Sequence, residues 1–317
     1  MHLAILSQTD RRPEIGQIFF PIRANQNKLL NSAKAMAKYA ESALHAVKIN
    51  RAMQSRVSCM LSVPEIPLWA YPALFATGLI AGTVDAIAGG GGLIALPALL
   101  GLGIPAPLAL ATSKLQGTFG SASATWSFAR RGVVNLRECR LGFTVTALGG
   151  LGGAGAMRLL DPHFLSTLIP WLLAAIVLYM IFRPQLGESS RHHRMEAPTF
   201  YLIFGLGLGF YDGFFGPGVG SFWTIAFVTL LGHDFIRAAG HTKVMNFASN
   251  IASLIYFSIA GSVLWLPGLT MGAGQLLGGR LGAHLAMTRG ARFVRPLFLF
   301  MASLVALKLV FAHFNHG

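Results

Sequence analysis

The run FLSTLIPWLLAAIVLYMIF, from Phe164 to Phe182, contains no acidic or basic side chain. It approaches the ~20 apolar residues that a helix needs to cross a bilayer core. Further apolar stretches follow one another with short polar joins, and only 11% of the 317 residues are charged. Soluble domains carry about 25%. Lipid is therefore the solvent that this composition suits. Backbone groups in lipid must pair within their own segment, which favours helices. The sequence predicts an all-α polytopic membrane protein.

The formal net charge is +14. The basic residues sit mainly in the N-terminal region and in loops, a placement that fits topology signals rather than a nucleic-acid-binding face. Cys59 and Cys139 form no ligand set or disulfide framework and take no role. His192 and His193 are not read as a metal site; no metal or cofactor is expected. Residues 1–64 read as a basic extension, peripheral or disordered. They hold no compact apolar core with a small-residue cleavage site, and so no signal peptide.

The body repeats itself. GLIAGTVDAIAGGGG, from Gly78, aligns with GLGLGFYDGFFGPGV, from Gly205, matching Asp85 to Asp212, Gly89 to Gly216 and Gly91 to Gly218. After a two-residue gap, Lys114 meets Lys243, Gly132 meets Gly261, and Gly149-Gly150 meet Gly278-Gly279. The predicted units are repeat one (65–186), a polar cytoplasmic linker (187–198) and repeat two (199–317). Charge gives their orientation. The loop ARRGVVNLRECR is basic and its counterpart AGSVLWLPG uncharged, whereas LLDPHFL is near neutral and its counterpart TRGARFVRP basic. By the positive-inside rule, equivalent loops lie on opposite sides. The prediction is two inverted-topology repeats, an arrangement common among secondary transporters.

Each repeat interrupts an apolar segment. Gly89, Gly90, Gly91 and Gly92 cannot hold a helix well, at roughly 1 kcal/mol each relative to alanine. Pro217, between Gly216 and Gly218, suits the first turn of a new helix rather than an interior. Helices should stop near Ala88 and Phe215 and restart near Gly92 and Pro217, as discontinuous crossings or re-entrant hairpins. Restarting helices offer unpaired amides and a positive dipole end, which suit an anion.

Polar residues cluster around these breaks. Asp85 and Asp212 each precede a break by one turn. Two compatible roles are open to them: taking up a coupling proton or cation, or capping the restarting helix. Lys114 and Lys243, with Thr112, Gln116 and Asn246 nearby, either counter an anionic substrate or pair with an aspartate. Gln275, Arg280 and His241 are secondary candidates. Trp69, Trp126, Trp171, Trp223 and Trp265 read as interface anchors or packing residues.

The motifs GFYDGFFGPGVGSF, ALATSKLQ, VDAIAGGGGL, FARRGVVNL and GQLLGGRLGAHLA resemble the TauE/SafE (TSUP) sulfite and organosulfonate exporter family, nearest its YfcA-like branch, over about residues 65–313. The resemblance implies a multi-pass transporter of the bacterial inner membrane for a small, often sulfur-containing anion. It carries the polar motifs onto Asp85, Gly89 to Gly92, Thr112, Lys114 and Gln116, and onto Asp212, Gly216 to Gly218, Lys243 and Asn246. The expected partners are the lipid bilayer, a small anionic substrate and a coupling proton or cation, with no nucleic acid; nothing fixes an oligomeric state. No HExxH, Gly-x-Ser-x-Gly or Walker A motif is present to suggest an enzyme or ATP-driven pump. An anion channel, or an intramembrane protein without transport activity, is the alternative.

Overall fold

The computed structural model describes residues 65–161 and 194–289, with several further positions between 164 and 175. The N-terminal extension, most of the linker and the final apolar segment lie outside the described residues. So does most of the run from Phe164 to Phe182. Among the described residues every regular element is a helix. These are α1 (Ala70–Ala88), α2 (Gly92–Gly101), α3 (Ala106–Arg130), α4 (Arg140–Leu159), α5 (Ala197–Phe214), α6 (Val219–Leu230) and α7 (Phe235–Ile259). An eighth, α8, is helical from 265 to 289, where the described residues end.

Polar and charged side chains are buried in this fold alongside its apolar core. Thr112, Lys114, Gln116, Asp212, Lys243, Asn246, Ser249 and Gln275 are all buried. Leu202, Ile203, Leu206 and Phe210 on α5 are exposed, as are Leu276, Leu277 and Leu281 on α8. Scattered exposed leucines need no explanation, but buried charge beneath rows of exposed apolar side chains does. Lipid around the bundle supplies one. α1 is, among the described residues, the helix that alone reaches the length and mean hydropathy of a membrane span. α3 and α7 have 25 residues each, about 37 Å at 1.5 Å per residue. Their polar inward faces lower their mean hydropathy. Four of the five tryptophans, Trp69, Trp126, Trp171 and Trp265, are exposed, whereas Trp223 is wholly buried and stacks on Phe227.

Small residues set the helix contacts. Gly78 and Gly82 of α1 lie against Met271 and Gln275 of α8; Gly205 and Gly209 of α5 lie against Val145 and Thr146 of α4. A Cβ on Gly82 would come 2.6 Å from the Gln275 carbonyl oxygen, and one on Gly209 would come 2.5 Å from that of Thr146. Where helices in lipid approach this closely, only glycine fits. The two contacts are counterparts under the sequence alignment: Gly82 matches Gly209, and Thr146 matches Gln275. α1 thus packs on α8, and α5 on α4. At the centre α3 crosses α7, with the position of a Gly117 Cβ 3.1 Å from Asn250 Oδ1.

α5 and α6 double back on each other. The Arg194 N–H, just before α5, donates to the Leu230 carbonyl at the end of α6 at 2.9 Å. α6 has 12 residues and α2 has 10, about 18 and 15 Å. Both are too short to cross a ~30 Å core upright.

Candidate functional site

The two interruptions fall where the glycines predict. α1 ends at Ala88, and Gly89 turns the chain at φ +76°, its N–H donating to the Asp85 carbonyl at 2.8 Å. α5 ends at Phe214, and Gly216 and Gly218 take φ +98° and +81°. Gly89 and Gly216, matched in the alignment, therefore share a left-handed backbone that glycine adopts without a Cβ penalty. The second restart differs from expectation. Pro217 sits between the two left-handed glycines, and α6 begins only at Val219. The proline's fixed φ serves the turn, and Gly218 takes the cap position.

The breaks face each other. A Cβ on Gly89 would collide with the Gly220 backbone, and one on Gly92 would lie 3.1 Å from Pro217 Cα. Around this meeting point run two crossed ion pairs. Lys114 Nζ on α3 donates to Asp212 Oδ1 on α5 at 2.7 Å, and also to the Asp212 main-chain carbonyl. Lys243 Nζ on α7 donates to Asp85 Oδ2 on α1 at 2.9 Å. Lys114 meets the aspartate 98 residues further on, and Lys243 the one 158 residues back. Burying either charge alone would cost several kcal/mol, so each pair is obligatory where it lies. Of the two roles open to the lysines, pairing with aspartate is the one seen.

Many of the groups freed by the breaks are satisfied locally. Asp85 both pairs and caps: its Oδ1 accepts the Gly91 N–H at 3.2 Å. Ser221 donates its hydroxyl to the Ala88 carbonyl at 2.7 Å, and Tyr211 does the same to the Pro217 carbonyl at 2.7 Å. The Val219 and Ser221 amides turn back onto the Gly216 and Gly218 carbonyls. Asp212 caps no amide; its Oδ2 accepts the Ser249 hydroxyl. Sequence reasoning missed Ser221, Tyr211 and Ser249. The signal available was a hydroxyl inside an apolar run, too common in helices to single out.

Between the breaks lies a cavity of about 40 Å³. Asp85, Gly89, Gly92, Lys114, Gln116, Asp212, Gly216, Pro217, Gly218, Asn246 and Gln275 line it, together with Ser113, Gly117 and Asn250. The buried oxygens Gln116 Oε1, Asn246 Oδ1 and Gln275 Oε1 have no hydrogen-bond partner. Three orphaned acceptors around one cavity mark a polar site with unused capacity. Each amide also presents two donors if turned about its last torsion.

Other candidates lie elsewhere. Lys243 stands behind Asp85 rather than on the cavity wall, and Gly90 and Gly91 are also outside the lining. Thr112 accepts the Leu264 N–H at 3.1 Å, just before α8. Arg280 is exposed on α8. His241 lines a separate cavity of about 580 Å³ with Arg194, Tyr201, His233, Arg237 and Glu138; its Nδ1–H donates to the Arg237 carbonyl at 2.9 Å. Among the described residues no group of His, Cys, Asp and Glu is placed to hold a metal ion.

An apolar exterior around an ion-paired centre with two facing helix breaks defines a helical membrane protein with a polar site at its core. Comparison with known proteins agrees. The model of the sulfite exporter TauE/SafE family matches residues 74–309. The chain is 45% identical over 242 residues to a probable membrane transporter protein of Haemophilus influenzae, covering 75% of this chain and 93% of that protein. It is 44% identical over 237 residues to the probable membrane transporter protein ORF9 of a Sinorhizobium species, covering 75% and 91%. It is 42% identical over 244 residues to the probable membrane transporter protein YfcA of Escherichia coli K12, covering 77% and 90%. No solved structure matches. The chain belongs to the TauE/SafE family of membrane transporters.

Proposed function

We infer that this protein is a secondary transporter for a small anion, a sulfur oxyanion or organosulfonate. It works by alternating access in a bacterial inner membrane, with the substrate held between two oppositely oriented repeats. The observation that carries this reading is the pair of crossed ion pairs at the facing breaks. Lysines and amide side chains converge there, in the place where discontinuous helices form transporter sites. The exchanged α1–α8 and α4–α5 contacts support a two-fold relation between the repeats. The backbone bond from Arg194 to Leu230 supports a re-entrant α5–α6 hairpin.

The size of the cavity bears on mechanism. At about 40 Å³ it is small for a ligand pocket. An occluded site of this kind opens when the repeats part. That favours an alternating carrier over an open channel.

The test is flux in proteoliposomes with sulfite, methanesulfonate, thiosulfate and small carboxylates, preceded by a thermal-shift screen of the same panel. A carrier gives saturable flux for at least one sulfur anion. Flux linear in concentration would favour the channel, and no flux or thermal shift with any anion would overturn the reading.

A further inference from the structure

Charge bookkeeping at the central cavity constrains what can enter with the anion. Asp85, Lys114 and Asp212 line it, with Lys243 against Asp85. Two ammonium groups face two carboxylates, and the sum is zero. The other described lining residues are neutral: Gln116, Asn246, Asn250, Gln275, Ser113, glycines and apolar groups. An anion entering this site unaccompanied leaves one uncompensated negative charge in a buried site, which is strongly unfavourable. Nor can Lys114 serve as its counter-ion while Asp212 remains ionised upon it.

The two pairs are not equivalent. Asp85 uses one oxygen for Lys243 and the other to cap the Gly91 amide. Protonating it would weaken the helix restart as well as the pair. Asp212 caps nothing. Its second oxygen takes the Ser249 hydroxyl, which can turn and accept instead. Lys114 is also held by the Asp212 main-chain carbonyl, which stays in place when the carboxylate is neutralised. The ammonium thus remains tethered by one N–H, with two donors left for a substrate.

We propose, building on the anion reading above, that Asp212 is the proton carrier and that each substrate enters as a monoanion with one proton. The proton adds to the Asp212 carboxylate, giving a neutral acid. The substrate anion replaces that carboxylate as the counter-ion of Lys114. The site holds zero net charge before and after, and release reverses both steps. The Asp85–Lys243 pair stays intact as a structural clasp.

The groups facing Asp212 are few. Lys114 comes from α3 and Ser249 from α7; the neighbouring Tyr211 on α5 donates its hydroxyl to Pro217. Thr146 and Gly150 of α4, Gln275 of α8 and the Gly216–Gly218 turn add no ionisable group. Lys243 of α7 is engaged by Asp85 of α1.

The experiment is titration calorimetry of the purified full-length protein with methanesulfonate, isethionate and sulfite, in two buffers of different ionisation enthalpy. The two sulfonates keep one negative charge from about pH 6 to pH 8, so any protons counted with them are taken up by the protein. The expected result is about one proton per bound sulfonate, with affinity falling about tenfold per unit rise in pH. Asp212→Asn should bind with no proton uptake and a flat pH profile. The wild-type count needs no variant and decides alone if Asp212→Asn fails to fold. Sulfonate binding without proton uptake, or uptake that survives Asp212→Asn, overturns the coupling and leaves the anion reading standing. Binding of sulfite alone with no proton taken up by the protein does the same. Binding of none of the three overturns both.

Discussion

Lys243 Nζ and Asp85 Oδ2 lie 2.9 Å apart although 158 residues separate them in the chain. The same exchange joins Lys114 to Asp212, 98 residues away. These bonds hold together, at the core of the bundle, the two stretches of chain where its helices are broken.

Breaking one partner of such a pair should be far worse than removing both. Lys114→Ala leaves the Asp212 carboxylate buried without its cation, a loss of about 3–5 kcal/mol. Replacing both, as Lys114→Met with Asp212→Leu, should cost clearly less while abolishing transport. Thermal and denaturant unfolding in detergent, run as a double-mutant cycle, reads the difference. Additive losses would mean that the two residues are not coupled.

Gly89 has both a left-handed backbone, φ +76°, and no room for a Cβ beside Gly220. Gly132 has φ +72° and nothing within 4 Å, and Gly207 lies mid-helix with open space around it. Gly132→Ala should cost about 1–2 kcal/mol from the backbone alone. Gly207→Ala should stabilise by up to about 1 kcal/mol. Gly89→Ala should exceed both in magnitude and prevent assembly, as read by yield and melting temperature.

Ser221 closes the carbonyl that the α1 break exposes at Ala88. Ser221→Ala strands that acceptor and should cost about 1–3 kcal/mol. Ser221→Thr keeps the hydroxyl and should recover most of the loss. Unfolding midpoints of the two variants make the comparison, and equal melting would show that the bond contributes nothing.

Opposed repeats place equivalent loops on opposite sides of the membrane. Gly132 and Gly261 are aligned counterparts at the ends of α3 and α7, both with open space around them. In a background lacking Cys59 and Cys139, Gly132→Cys and Gly261→Cys should react with an impermeant maleimide from opposite faces of oriented vesicles. Labelling of both from one side would rule out the inversion.

The sequence by itself determined the solvent, the helices and the places where they break. Run length, scarcity of charge, four glycines in a row and a Gly-Pro-Gly turn act on the local backbone, so Ala88 and Gly92 were legible as a stop and a restart. It also narrowed the polar candidates, because an ionisable group inside an apolar segment is rarely idle. Only the tertiary structure decided the partners. Either lysine could have met either aspartate, since spacing along the chain carries no distance across a bundle. Packing of α3 on α7 brought Gln116 and Asn246 to one cavity, while it gave Thr112 to the start of α8 and left Arg280 outside. The same packing recruited Ser221 and Tyr211 to satisfy the broken backbone. A cap within a turn can be read from neighbouring residues, but a bond between distant segments exists only once close packing has put both groups out of reach of water.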